Sequence, residues 1–374
     1  MRAMGRSNTV LKQTKEEKRM KENTSNKRAR KQANKKEEYD NFSELKNALD
    51  FVGKIQLKDS DIIYKKHCLI NRGYVVATNG EQLLGTQCKG IDSLSFCPST
   101  FKFLKSLEVC GKEAALKTTD GKLQVISSKL KTFIELIPFE AIPVFSSDFE
   151  IEIKLQESFL EDLKLSRKFL SDEKDSYLIV SKTVLTCFYK HNVGVIAIFQ
   201  TSYKSNCKQE FIVNIPLEAL DIIISIKKPI IKMLISRNRS CTFVFEDFSF
   251  MQTLLVNNSE REKSANVDAL FKAENKIPFI LTKEFFESLK NVSEFVDKDS
   301  KFVFFKDNSI CSHKHIELGA ASNINTDVLN GYAFNYALLI KLEGLATEIN
   351  LTSRGLFFQN ENTRACLARV HIGD

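Results

Sequence analysis

The stretch DIIYKKHCLINRGYVVATNGEQLLG, residues Asp61–Gly85, carries two apolar, β-branched runs separated at Asn79-Gly80. Such a pair between apolar runs reads as a tight turn joining antiparallel strands. Working outward, FSELKNALDFV from Phe42 precedes it and PSTFKFLKSLEV from Pro98 follows it, both with helical spacing. Beyond them AALKTTDGKLQVISSKLKTFIELI, from Ala114, shows a second strand pair around Asp120-Gly121.

The same order recurs twice. Helical QESFLEDLKLSRKFL from Gln156, strand-rich SYLIVSKTVLTCFYKHNVGVIAIFQ from Ser176, helical PLEALDIIISIKK from Pro216 and paired IKMLISRNRSCTFVFEDFSFMQTLLV from Ile231 form the second block. TKEFFESLKNVSEFV from Thr282, SKFVFFKDNSICSHKHIELGA from Ser300, AFNYALLIKLEGL from Ala333 and TEINLTSRGLFFQNENTRACLARVHI from Thr347 form the third. First helix to first strand takes 19, 20 and 18 residues, and first strand to second helix 37, 40 and 33. Three near-equal units of this kind indicate a repeated domain. Phe285, Phe286, Leu289, Val292 and Val296 fall on one side of the third block's first helix. Pro98 and Pro216 are expected at helix starts, where a missing N–H does no harm.

The net charge of +8 is unevenly spread. Residues 1–36 hold 13 Lys/Arg against 3 Asp/Glu, so the remaining body is nearly neutral at −2. Any attraction of that body for polyanions depends on where its charges sit. Residues 1–40 are too polar to bury a core and are expected to be a disordered basic arm. Such an arm suits solubility, targeting or non-specific phosphate contact, and its KRARK run (Lys27–Lys31) has the look of a nuclear signal. The basic start has no apolar stretch behind it, so no secretory signal is expected. No apolar run reaches the roughly 18 residues a membrane span needs. Nine Cys, odd in number and without a CxxC pair, fit buried thiols in a reducing compartment.

The stretch HCLINRGYVVATNGEQLLGT, residues 67–86, with its Thr78-Asn79-Gly80 turn, resembles the beta sliding clamp of bacterial and phage replicative DNA polymerases. TDVLNGYAFNYALLIKLEGL (326–345) through RGLFFQNENTRACLARV (354–370) is similar to that family's last domain. The resemblance covers residues 41–374 and rests on pattern and order. It implies an α+β fold of three tandem clamp domains, each with two helices packed on antiparallel β-sheets, assembling into a ring. The expected divisions are 1–40 for the arm, 41–147, 148–257 and 276–374 for the domains, and 258–275 for a linker. A three-domain chain implies a head-to-tail homodimer, whereas the two-domain clamps of eukaryotes, archaea and some viruses close as trimers.

The resemblance further implies helices that line a hole and attract duplex DNA without reading its sequence. Phe101, Leu104 and Leu107 are expected on the apolar side of their helix, leaving Lys102 and Lys105 outward. Phe159, Leu163 and Leu170 are expected inward, leaving Lys164, Arg167 and Lys168 together. Lys227 and Lys228 follow the next helix. Lys290 stands for the third block, where Glu287 and Glu294 share its face and break a uniformly positive lining. A pocket for short apolar peptides of the polymerase and clamp loader is implied at Val195, Ile196, Pro216, Leu220, Leu367 and Val370. The family ends on Met-Pro-Met-Arg-Leu; here Leu367-Ala368-Arg369-Val370-His371 stands there, with three residues beyond.

No P-loop, GxSxG elbow, HExxH or kinase motif occurs, so no enzyme and no cofactor are expected. Cys311, His313 and His315 would share one face of a strand, a poor geometry for a tetrahedral ion, so no metal is expected. His67, His191 and His371 stand alone in strands and read as structural. The expected function is a polymerase processivity factor in the cytoplasm of a bacterial or phage-infected cell. A β-rich viral or nucleoprotein structural component with a basic arm is the competing reading.

Overall fold

The computed structural model describes residues 42–111, 114–145, 148–191, 194–237, 239–256, 267, 271 and 276–371, with the side chains of His191 and His371 excepted. The basic arm expected at 1–40 and most of the linker expected at 258–275 lie outside the described residues. The chain divides into two compact units between Val144 and Phe145. Both are α+β, with every named strand pair antiparallel. No helix among the described residues is long and apolar enough to cross a membrane.

In the first unit helix α1 (42–53) buries Leu45, Leu49 and Val52. Strands β1 (Cys68–Asn71), β2 (Tyr74–Thr78), β3 (Gln82–Gln87) and β4 (Ser95–Phe96) lie in the order β4-β1-β2-β3. The Asn79-Gly80 pair makes the tight turn between β2 and β3. Asn79 Oδ1 accepts from the backbone N–H of Glu81 at 2.9 Å and Gln82 at 2.7 Å, and Thr78 Oγ1 accepts from Gly80 N–H at 3.0 Å. Gly80 takes φ +98°, which favours glycine, and a Cβ there would lie 2.8 Å from the Tyr64 hydroxyl, so that side chain would have to shift. Asp120-Gly121 likewise turns β5 (Ala115–Thr119) into β6 (Lys122–Ile126), which pairs with β7 (Lys131–Glu135).

Helix α2 (Thr100–Cys110) lies between these sheets in sequence. Its inner line is Thr100, Phe103, Leu107 and Cys110, with Ser106 beside it. This corrects the expected face: Phe101 and Leu104 are only half-buried, because the helix begins at Thr100 and the i, i+3, i+7 line runs through Phe103. Pro98 sits two residues before the helix, bridging Leu136 instead of opening the turn.

The second unit contains the second and third repeats. Strands β9 (Tyr177–Ser181), β10 (Val184–His191), β11 (Gly194–Ser202) and β12 (Ile212–Pro216) come from one repeat. Strands β16 (Ile277–Ile280), β21 (Glu348–Thr352), β22 (Gly355–Gln359) and β23 (Thr363–Ala368) come from the other. They form one eight-stranded sheet, β12-β9-β10-β11-β23-β22-β21-β16, joined where Ala197 pairs with Leu367 and Thr201 with Thr363. Helices α3 (Phe159–Lys168) and α4 (Leu217–Ile226) cover one face. Phe169 stacks on Phe199 at 4.0 Å and the Cys187 thiol donates to Ser166 O at 3.1 Å. Phe159, Leu163 and Leu170 are buried there, as their spacing requires. Strands β13 (Ile230–Ser236), β14 (Ser240–Phe245) and β15 (Phe250–Leu254), with β8 (Ile151–Lys154) on the edge, pair in the order β15-β14-β13-β8.

In the third repeat α5 (Lys283–Ser293) is capped by Thr282, whose hydroxyl accepts from Phe285 N–H at 3.2 Å. Phe285, Phe286, Leu289, Val292 and the following Val296 are all buried. Strands β17 (Phe302–Lys306), β18 (Ser309–Cys311), β19 (Ala321–Asn323), β20 (Tyr332–Asn335) and β24 (Val370–His371) make a five-stranded sheet, β19-β18-β17-β20-β24. The second helix, α6 (Tyr336–Ile340), starts three residues later than the sequence pattern suggests. Ala333 and Phe334 remain in β20, paired with Phe304 and Val303, and Asn335 caps the helix. Strand β18 ends at Cys311, so Cys311, His313 and His315 do not share a strand face. Cys311 is buried, whereas Nδ1 of His313 makes a local contact to the carbonyl of His315 at 3.3 Å.

All nine cysteines are free, and all but Cys207 are buried. Burial pushes the Cys68 and Cys187 thiols up to about 12. A thiol reagent at pH 8 is therefore expected to label one cysteine quickly in the native chain and nine after denaturation. Rapid labelling of several thiols in the native state contradicts this packing.

Candidate nucleic-acid and peptide interfaces

The eight cations singled out by sequence fall into two groups. Lys102 and Lys105 on α2, Lys168 at the end of α3 and Lys227 after α4 are exposed. The other four face carboxylates. Lys164 pairs with Glu161 at 2.6 Å, and Arg167 holds Asp221 at 2.5 Å and Asp172 at 2.8 Å. Lys228 pairs with Asp247 at 2.5 Å, and Lys290 with Glu343 at 2.7 Å. Arg167 ties α3 to α4, while Lys290 ties α5 to the turn after α6, so the same cross-brace occurs in both repeats. The Asp221 hydrogen bond holds the Arg167 guanidinium firmly in its charged form. Exposed pairs of this kind contribute about 0–1 kcal/mol each to stability. Their larger effect is on the field, since a paired cation adds little beyond a Debye length, roughly 8–10 Å.

Lys341, which the sequence does not single out, lies in the same neighbourhood. Its ammonium sits 5.0 Å from the Tyr189 ring centroid, and burial lowers its pKa against the attraction of Asp172. A lysine at a helix end gives no sequence signal that it will be covered by a tyrosine from a distant strand.

The six apolar positions expected to line a peptide pocket are distributed between surface and core. Val195 and Val370 are exposed, Pro216 is half-buried as the residue before α4, and Ile196, Leu220 and Leu367 are buried. Because Ala197 pairs with Leu367, Val195, Ile196, Leu367 and Val370 gather at one end of the β11–β23 pair. Pro216 lies on β12, with β9 and β10 between it and β11. Leu220 faces the core from α4 and presents nothing to a ligand. After β23 the chain leaves the shared sheet, and Val370 pairs with Ala333 of β20.

No family model matches the sequence, and no curated protein matches it. Solved structures do. The DNA polymerase III subunit beta of Pseudomonas aeruginosa is similar over 88% of this chain and 98% of its own, at 10% identity and a TM-score of 0.71. This chain has the sliding-clamp fold. The Caulobacter crescentus beta sliding clamp is similar over the same shares at 12% identity and a TM-score of 0.69. The Helicobacter pylori beta clamp is similar over the same shares at 14% identity and a TM-score of 0.66. Identities this low show likeness of fold, and the clamp-like plan spans nearly all of each relative.

The Lys228–Asp247 pair offers a pH test of the electrostatics. Burial pushes the Asp247 carboxyl up, but the Lys228 ammonium and the donors of Ser249 outweigh it and hold the group below its ordinary value. A carboxyl so held stabilises the fold above its unfolded pKa, and that contribution fades as pH falls through the folded value. In urea titrations Asp247→Asn is expected to cost less than about 1 kcal/mol at pH 7 and nothing once the carboxyl is protonated. A difference that persists unchanged into acid contradicts the pairing.

Proposed function

We propose that this chain is a non-enzymatic DNA sliding clamp, a polymerase processivity factor that encircles duplex DNA without reading its sequence. The observation that carries the reading is the likeness to bacterial beta clamps over 88% of the chain, combined with lysines on the helices that the fold would turn toward DNA. Lys102, Lys105, Lys168 and Lys227 supply the attraction, because their charges are exposed. Lys164, Arg167, Lys228 and Lys290 are tempered by their carboxylates and keep the field shallow, which suits sliding better than gripping. The chain's three clamp domains are 41–147, 148–257 and 276–374, with 258–275 as the connector.

Two copies close head to tail. Three edge strands support this: β5 in the first unit, and β16 and β19 in the second. Exposed Phe133 lies on β7 of the β5 sheet, while Ile277 and Ile280 lie on β16 itself. Unpaired edges flanked by apolar side chains are poised for strand addition from another copy. The polymerase and clamp loader dock through short apolar peptides at the Val195–Val370 end of the seam, with Ile196 and Leu367 beneath it. The nine free thiols suit a reducing cytoplasm.

Topological linkage separates this reading from simple electrostatic binding. Chains threaded onto linear DNA whose ends are then blocked are expected to stay on at high salt, and to leave when the ends are free. Release that depends on salt alone, with no effect of the blocks, contradicts encirclement. Light scattering is expected to give twice the 42.7 kDa of one chain. Replacing Lys102, Lys105, Lys168 and Lys227 with Ala is expected to weaken loading and flatten its salt dependence, by about 0.9 in the logarithmic slope for each phosphate no longer neutralised. An unchanged slope contradicts their role.

A further inference from the structure

The third repeat holds a cavity that neither the helix cations nor the β11–β23 seam uses. Its volume is about 190 Å³, and it lies between β16, the first turn of α5 and the chain just after β19. The wall is apolar, since Phe279, Phe285 and Ile324 line it and all three are buried. The Phe279 ring meets Phe285 near edge-on at 5.4 Å, and Phe285 lies nearly parallel to Phe305 at 6.3 Å. These side chains are held by one another, so they are not free to collapse into the space. A nucleotide or drug-sized cofactor needs roughly 300–1,000 Å³ and does not fit. A ligand of few heavy atoms does.

The mouth is polar and its charge is of one sign. Thr282, Glu284, Asn323 and Asn325 line it, and no lysine or arginine does. The Glu284 carboxylate accepts from its own backbone N–H and from the Thr282 hydroxyl, which hold it below its ordinary value. It is therefore ionised at neutral pH. The Phe285 N–H is taken by the Thr282 hydroxyl at 3.2 Å, so these two N–H groups of the helix start are engaged locally and not offered to an anion. Two further exposed carboxylates stand close by in the fold. Asp327 follows the lining residue Thr326, and Glu348 faces Ile280 across the β16–β21 pair. Among the described residues, none of Glu284, Asp327 and Glu348 has a basic side chain in an ion pair. The lysines nearest in sequence are occupied elsewhere: Lys283 pairs with Glu287 at 3.3 Å, and Lys276 lies 4.9 Å from the Phe357 centroid.

We propose that this cavity binds a small organic cation, a primary ammonium carried on a short apolar body. The body packs on Phe279, Phe285 and Ile324, where leaving water drives its entry. The ammonium stays at the mouth, with the Glu284 carboxylate and the amide oxygens of Asn323 and Asn325 as acceptors for its N–H groups. An exposed carboxylate alone attracts a cation weakly, and an apolar wall on one side of the pair strengthens that attraction. An anion of the same shape meets only negative charge. The inference does not depend on ring closure, on DNA or on the Val195–Val370 end of the seam.

The probe is phenethylammonium, titrated into the full-length chain at pH 7 and read by saturation-transfer NMR. Saturable binding is expected, at least about threefold tighter than that of neutral phenethyl alcohol. Phenylpropanoate, the anionic counterpart, is expected not to bind. Glu284→Gln keeps the shape of the mouth and is expected to remove most of the preference for the ammonium. Asn325→Lys, at an exposed lining position, puts a tethered cation at the mouth and is expected to abolish binding. Absent or unsaturable binding, equal binding of the three probes, or unchanged binding by both variants overturns the proposal. If Asn325→Lys loses its fold by circular dichroism, Glu284→Gln decides: a preference for the ammonium that survives it intact overturns the site.

Discussion

The pairing of β11 with β23 is the constraint on which the second unit depends. It brings Gln200 to Arg364, 164 positions away in sequence, and merges strands of two repeats into one sheet. Its polar part is a relay: Arg364 Nε donates to Gln200 Oε1 at 2.5 Å, and Gln200 Nε2 donates to Thr186 Oγ1 at 2.9 Å. Gln200 and Thr186 are buried, so each needs its partner. Gly355 enforces the close approach of β22 to β23, since any Cβ there would collide with the carbonyl of Leu367. A sheet edge that would otherwise invite unwanted pairing is used up inside the chain.

Two consequences follow from that seam. One face becomes a floor for helices, with Phe199 stacked under Phe169, and on the other Val267 and Phe271 are buried, with Phe357 under Phe271. The helices are then braced by ion pairs: Arg167 to Asp221 and Lys290 to Glu343. These braces set the helix surface to a mixture of signs instead of a positive sheet. For a protein proposed to slide, a weak and even field is the useful one, because strong localised contacts would hold it in place.

The elements were legible where local chemistry decides them. Gly80 and the Asp120-Gly121 pair take positive φ, and the Phe285–Val296 line has helical spacing, so neighbours in sequence carry the information. The α2 face slipped because Phe101 and Phe103 are both plausible inward residues, and only the helix start at Thr100 chooses between them. Phe334 stayed in a strand because its pairing with Val303 outweighs helical spacing. The bracing partners Asp221 of Arg167 and Glu343 of Lys290 lie 54 and 53 residues away, beyond any local pattern. The expected linker reads only as polar, and nothing local marks Val267 and Phe271 as buried residues. What they cover became visible only once the seam had formed.

The proposed function requires two copies of this chain to close around a duplex. Electron microscopy of the purified, full-length protein tests it most directly. Closed rings of two chains, with a six-lobed outline and a hole wide enough for double-stranded DNA, are the expected result. Single compact particles without a hole, or open arcs that never close at any protein concentration, would contradict it.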